Sequence, residues 1–173
     1  MNLELRKLIE PSAEIAEYFN RWENDPRLTH LIRVHRDQAS LDKVITVTKK
    51  DLAEWLARKQ IYLIYLENQL VGEVEFQVDP KHLYIKGINS AWVAILIGEE
   101  AARGKGIGYR ALQFLENEVR QLDLRRMELG VFEFNTNAIK LYERLGFQEI
   151  GRIPDFTYWQ GKRWADIRME KHI

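Results

Sequence analysis

The sequence predicts an α/β (α+β) domain in which a mixed sheet carries helices on its faces. Three observations predict it. Seven stretches alternate with period two or run apolar and β-branched, as strands do. Four stretches repeat their apolar residues at i, i+3, i+4, as helices do. The two kinds interleave in the order β-α-α-β-β-β-α-β-α-β-β along 173 residues, a length suited to one domain with a real core, so residues 1–173 are expected to form a single domain.

The elements follow in order. Leu3-Glu4-Leu5-Arg6 alternates as a first strand. Pro11-Ser12 offers a helix start with Ser12 as N-cap, and Ile15, Tyr18, Phe19 and Trp22 share one helical face. Asn24-Asp25-Pro26 ends that helix. Segment 27–47 mixes two histidines with several arginines and reads as loop containing at most a short helix. Thr48 followed by Asp51 caps a helix whose Leu52, Trp55 and Leu56 share a face. Ile61–Leu66 is a strand, Asn68-Gln69 turns it, and Val71–Val78 returns as its hairpin partner. In that partner Val74, Phe76 and Val78 face one way, Glu73, Glu75 and Gln77 the other. Ala91–Ile97 is apolar on both faces, as a central strand should be. Leu112, Leu115, Val119 and Leu122 mark an amphipathic helix, and Met127, Leu129 and Val131 a further strand. Ala138, Ile139, Tyr142 and Leu145 define the last helix, with Gly146 as its C-cap. Strands around 147–153 and 164–171 close the chain, with Gly161 at a turn between them.

Composition narrows the function classes. Lys and Arg number 26, as do Asp and Glu, so the formal net charge is zero. That argues against broad electrostatic binding to nucleic acid or anionic membrane. With no cysteine, disulfides, thiol catalysis and Cys-ligated zinc are excluded. His30, His35, His82 and His172 lack metal-ligand spacing, and no metal is expected. No apolar run approaches the ~20 residues that cross a bilayer. MNLELRKLIE alternates charge with apolar residues, unlike a signal peptide, so a cytoplasmic location is expected.

The stretch G98-E-E-A-A-R-G-K-G-I-G-Y-R110 lies between the central strand and an amphipathic helix. A P-loop needs G-x-x-x-x-G-K-[ST], yet Gly98 is one residue too far from Gly104-Lys105 and Gly106 replaces the hydroxyl. A dinucleotide fingerprint needs G-x-G-x-x-G, yet the third glycine arrives one residue early, at Gly108. Glycines here let backbone amides approach a ligand, the helix N-terminus adds roughly half a positive charge, and Arg103, Lys105 and Arg110 add cations. Together these favour a phosphate or pyrophosphate. A flexible glycine turn with solvated charges is the alternative that the loop alone leaves open.

R103-G-K-G-I-G108 resembles the [Q/R]-x-x-G-x-[G/A] motif of the GNAT N-acetyltransferase superfamily, and N135-T-N-A-I-K-L-Y-E-R-L-G-F147 resembles its N-x-x-A-x-x-x-Y-x-x-x-G-F pattern. The closing G161-K-R-W-A-D-I-R-M169 and the N-D-P at 24–26 resemble the branch of ribosomal-protein N-terminal and spermidine or diamine acetyltransferases. The resemblance implies the GNAT fold, a mostly antiparallel twisted sheet of about seven strands with about four helices. It implies acetyl-CoA as donor and a primary amine, from a small amine or polyamine to a protein N-terminus, as acceptor. A non-catalytic acyl-CoA-binding or sensing module on the same fold is the alternative. Homodimers are common among similar proteins, and no residue here demonstrates one.

Carried onto this chain, the family pattern assigns the amides of Arg103, Gly104, Lys105, Gly106, Ile107 and Gly108 to the pyrophosphate. Ile95, Leu96 and Ile97 would pair with the pantetheine arm as an added strand does, one amide polarising the thioester carbonyl. Asn135 and Ala138 would border the cofactor arm, and Asn135 reads equally as a helix N-cap, as does Asn137. Tyr142 would protonate the departing thiolate, or else be a core tyrosine. The amine must be neutral to attack. An α-amine of pKa ~8 needs little help, whereas an alkyl amine of pKa ~10.4 benefits from a base. Glu75 is the candidate base, with Glu73, Glu99 and Glu100 as alternatives, each also readable as a solvated carboxylate. Trp22, Arg33, His35, Phe156, Tyr158 and Trp159 are candidates for the acceptor wall or for ordinary core.

Overall fold

The computed structural model describes residues 1–87 and 89–173. Its elements are β1 (Leu3–Lys7), α1 (Ala13–Glu23), α2 (Thr29–Ile32), α3 (Gln38–Asp42), α4 (Lys49–Leu56), β2 (Gln60–Leu66), β3 (Gln69–Val78), β4 (Ser90–Ile97), α5 (Ile107–Gln121), β5 (Arg126–Phe132), α6 (Thr136–Arg144), β6 (Gln148–Trp159) and β7 (Lys162–His172). A turn of 3₁₀ helix at Glu100–Ala102 precedes α5. The strands form one sheet in the order β1-β2-β3-β4-β5-β7-β6. Every pairing is antiparallel except β4 with β5.

Strand alternation divides the core in two. On one face Tyr62, Ile64, Val74, Phe76, Val93 and Met127 pack under α5 and α6. On the other, Ile61, Leu63 and Leu96 pack under α1 and α4 with Phe19, Trp22 and Leu52. The helix starts follow side-chain chemistry. Ser12 Oγ accepts the Ile15 N–H at 3.1 Å. Thr48 and Asp51 form a reciprocal capping box. Gly146, at φ +94, closes α6.

Three local expectations change. Segment 27–47 holds two short helices, α2 and α3, organised around His35, which is 1 % exposed. His35 Nε2 lies 2.8 Å from Thr29 O, Nδ1 lies 3.2 Å from Ser40 Oγ, and its N–H donates to Thr157 Oγ1 at 2.9 Å. The β2–β3 turn sits at Glu67-Asn68, both at positive φ, one residue before the expected Asn68-Gln69. The sixth strand runs on through Pro154 to Trp159. Proline is tolerated there because β6 is an edge strand, and the register breaks between Ile153 and Thr157.

Candidate active site

The site grows from a gap in the sheet. Asp79 N–H donates to Ser90 O at 2.9 Å, and Gly98 N–H to Val71 O at 2.8 Å. The β3–β4 ladder therefore uses the even-numbered residues of β4. Alternation turns the N–H and C=O groups of Ile95 and Ile97 the other way, towards β5. Yet β5 pairs with β4 only over Ser90–Trp92, opposite Arg126–Glu128. Beyond that point the strands part, and an open edge borders the gap. Of the three β4 residues expected at the cofactor arm, Ile95 and Ile97 face the gap, whereas the Leu96 backbone belongs to the ladder opposite Glu73.

At the end of this edge lies the glycine loop. Gly104 and Gly106 sit at φ +72 and +74, in open space, so backbone conformation rather than crowding calls for glycine at both. Gly106 is the N-cap of the 15-residue α5. Among the described residues, the amides of Gly104 through Tyr109 donate to no group of the protein, since the first helical bond into α5 is Arg110 N–H to Gly106 O. Six unused amides at the positive end of a long helix make an anion cradle. Ile107 contributes only backbone, its side chain being 1 % exposed.

Arg103 is engaged differently from its neighbours. Its amide donates to Glu100 O at 3.0 Å. Its guanidinium donates to Ile97 O at 3.0 Å and Gly98 O at 2.8 Å. Arg103 thus braces the loop against the end of β4, while Lys105 and Arg110 stay exposed. Glu99 accepts from Arg21 at 2.6 Å and from Trp22 Nε1 at 2.9 Å, and Glu100 pairs with Arg27. Both carboxylates tie the loop to the α1 side, which accounts for them as anchors.

Across the gap stands α6. Asn135 is its N-cap, accepting the Ala138 N–H at 3.3 Å, so the capping role falls to Asn135 and not Asn137. One α6 residue is buried: Tyr142, 8 % exposed. Burial pushes its phenol up to about 12. It therefore stays protonated throughout the physiological range.

On the opposite face, Glu73 and Glu75 project from β3 beside Leu96 and Ala94. Glu75, the expected base, is held by Lys59 at 2.7 Å. Glu73 is 7 % exposed, and its Oε2 is sealed with no partner. Burial first, then the charge of Glu75, raises its carboxyl well above the ordinary 4.5, against the pull of Lys59. Between 4.5 and that raised value the folded chain holds a proton that the unfolded chain has released. Stability from this group is full below 4.5 and falls as pH rises through the window. Glu73→Gln removes the dependence, so the melting temperature of the variant should gain on wild type steadily above pH 4.5. Melting followed by circular dichroism across pH checks this, and a constant difference would refute it.

The aromatic candidates divide. Trp22 and His35, each 1 % exposed, are core. Arg33 lies 3.3 Å from Glu23 in an ion pair. Trp159 stacks on His30 at 4.6 Å and meets Phe134 at 4.4 Å. With Asn24, Pro26 and Asp42, these two rings of His30 and Trp159 line a cleft of about 510 Å³. Phe156 meets Phe132 at 6.2 Å, and Tyr158 N–H donates to His35 O at 2.9 Å. The sequence reading missed His30, Phe134, Lys59 and Glu23. No periodicity marks them, because tertiary packing alone brings them to the site.

Among the described residues there is no cluster of three or more His, Asp or Glu able to hold a metal ion, and no helix is long and apolar enough to cross a membrane.

A parted parallel strand pair with six free amides at its mouth has the form of a site for an elongated, anionic ligand. The model of the Acetyltransferase (GNAT) family matches residues 14–147, and the chain belongs to that family. It is 31 % identical over 127 residues to the spermine/spermidine N(1)-acetyltransferase of Bacillus subtilis, covering 73 % of this chain and 82 % of that one. Its fold is similar to the GNAT-family acetyltransferase of Streptococcus pneumoniae, with TM-score 0.75, 21 % identity and coverage of 99 % and 100 %. It is equally similar to the spermidine N-acetyltransferase of Vibrio cholerae, solved in complex with CoA and spermine, with TM-score 0.75, 20 % identity and coverage of 98 % and 95 %.

Proposed function

We propose that the chain transfers an acetyl group from acetyl-CoA to a primary amine by direct attack on the thioester. The observation that carries this reading is the run of free amides from Gly104 to Tyr109 at the end of the open β4 edge. Such a run fits a pyrophosphate, and the edge beside it fits the amide-bearing pantetheine arm, which adds like a strand. A relative named for spermine and spermidine acetylation supports the amine as acceptor.

The steps follow from the groups present. The acceptor enters through the cleft edged by His30, Trp159 and Asp42. Glu73, rather than the Lys59-bound Glu75, takes a proton from the ammonium, because its carboxyl is free and its raised proton affinity narrows the gap to an amine of pKa ~10.4. The neutral nitrogen attacks the thioester carbon, whose oxygen is polarised by a β4 edge amide. The C–S bond breaks, and the sulfur receives a hydrogen bond from Tyr142. In sum an ammonium and a thioester give an amide, a thiol and one proton, which leaves through Glu73. A thiol of pKa ~8.5 is a stronger acid than a phenol at about 12. Tyr142 therefore stabilises the developing thiolate as a donor before it completes any transfer.

Isothermal calorimetry tests the reading first. Acetyl-CoA should bind in the micromolar range or tighter, and free thiol should appear with an amine panel. Absence of binding would refute it. Binding without transfer to any amine would favour the sensing module.

A further inference from the structure

On the face of the sheet covered by α1 and α4 lie five charged side chains from four separate segments. Glu23 ends α1, Arg33 follows α2, Lys59 follows α4, and Glu73 and Glu75 lie on β3. Arg33 Nε stands 3.3 Å from Glu23 Oε2, and Lys59 Nζ stands 2.7 Å from Glu75 while lying 5.0 Å from the Trp55 ring centre. Three carboxyls therefore face two cations. Lys59 and Glu75 pair closely, and Arg33 and Glu23 meet as charges whose Nε and Oε2 make no hydrogen bond. The carboxyl left without a cation is Glu73, the most deeply buried of the group, whose Oε2 also has no hydrogen-bond partner.

A stability network would be served by pairing the buried carboxyl and leaving the outer one to water, since an unpaired buried charge is the costly arrangement. The arrangement here is the reverse. The cation reaches the carboxyl nearer solvent, and the buried one is left without a positive partner. The charges that act on Glu73 are Glu75 and Lys59, with Glu23 acting least. Lys59 and Glu75 act with opposite sign, one drawing its proton off and the other holding it.

We propose that Lys59 and Glu75 are a positioning pair. They trim the charge around Glu73 so that the acceptor ammonium meets a single uncompensated carboxyl. This rests on the reading of Glu73 as the group that receives the acceptor's proton. The pair touches neither substrate nor cofactor. It sets the pH at which Glu73 changes state and, through that, the pH range of the enzyme.

The experiment uses four variants of the full chain: Lys59→Met, Lys59→Arg, Glu75→Gln and the double variant Lys59→Met with Glu75→Gln. The acid limb of kcat/KM is followed by thiol release from acetyl-CoA with butylamine. In parallel, carbon-13 NMR follows the Glu73 carboxyl in the cofactor-free protein. Lys59→Met should move the Glu73 titration up by about one pH unit, and Glu75→Gln should move it down by a similar amount. The double variant should return close to wild type, and Lys59→Arg should not move it. Opposite shifts that cancel are a signature that loss of packing does not produce. Equal-sign shifts, or none, would overturn the proposal. An enzyme that turns over no amine would refute the proposed function, while the NMR titration would still decide this pair.

Discussion

Glu73→Gln should lower kcat with an alkyl amine by about 10²–10⁴-fold, the usual worth of a positioned general base. Acetyl-CoA affinity should stay within about twofold. The reasons are geometric. Glu73 projects from β3 on the face of the sheet opposite α5 and α6, across from Leu96, whereas the glycine loop opens α5 on the other face. Glutamine keeps its volume and a carbonyl oxygen, so packing against α1 and α4 is retained while the proton acceptor is lost. Stopped-time thiol release at saturating amine measures the fall. Raising the pH should recover part of the loss, because more of the amine is then neutral without help. Loss of less than about threefold in kcat would remove Glu73 from the proton-accepting role and return Glu75 to it.

The second large effect is expected at Tyr142. Tyr142→Phe should lower kcat by about 10²-fold, in the range found when one hydrogen-bond donor to a developing anion is removed. The Kd for acetyl-CoA should hardly change. Phenylalanine fills the same space beside Phe147, 6.0 Å away, so the fold has no reason to respond. An acetyl donor whose thiol leaving group is more acidic should suffer less, because its sulfur needs the donor less. Equal losses with both donors would mean that the hydroxyl serves packing or water structure instead of the leaving group.

Much of this architecture was legible because it is written locally. The alternation of Glu73, Glu75 and Gln77 against Val74, Phe76 and Val78 assigned each side chain to its face of β3 before any sheet was in view. Ser12 and Thr48 announced their helices through capping chemistry. The glycines of 98–110 marked a loop whose backbone could approach a ligand. What stayed hidden depends on partners far along the chain. Arg103 looked like a phosphate ligand by composition, yet the carbonyls of Ile97 and Gly98 claim its guanidinium. Glu75 and Glu73 looked alike, and only Lys59, brought over by α4, tells them apart. Segment 27–47 had no periodicity to read, because its order comes from His35 hydrogen bonds to Thr29, Ser40 and Thr157. The strand placed around 147–153 runs on to Trp159, since a lone sequence does not reveal which strands lie at an edge, where a proline is tolerated.

The indole of Trp22 lies flat against Gly98, where a Cβ would collide with it, and its N–H reaches Glu99. The residue that follows it is Glu23 of the buried charge group. One turn of α1 is thus fastened to the root of the glycine loop on one side and to the buried charge group on the other. Two ligands that never touch would then share a single mechanical element. On the proposed function, an anion that ordered the glycine loop would order the charge group as well, and the second ligand would meet a site already ordered by the first. The chain would favour taking up its donor before its acceptor, with one tryptophan as the hinge pin between them.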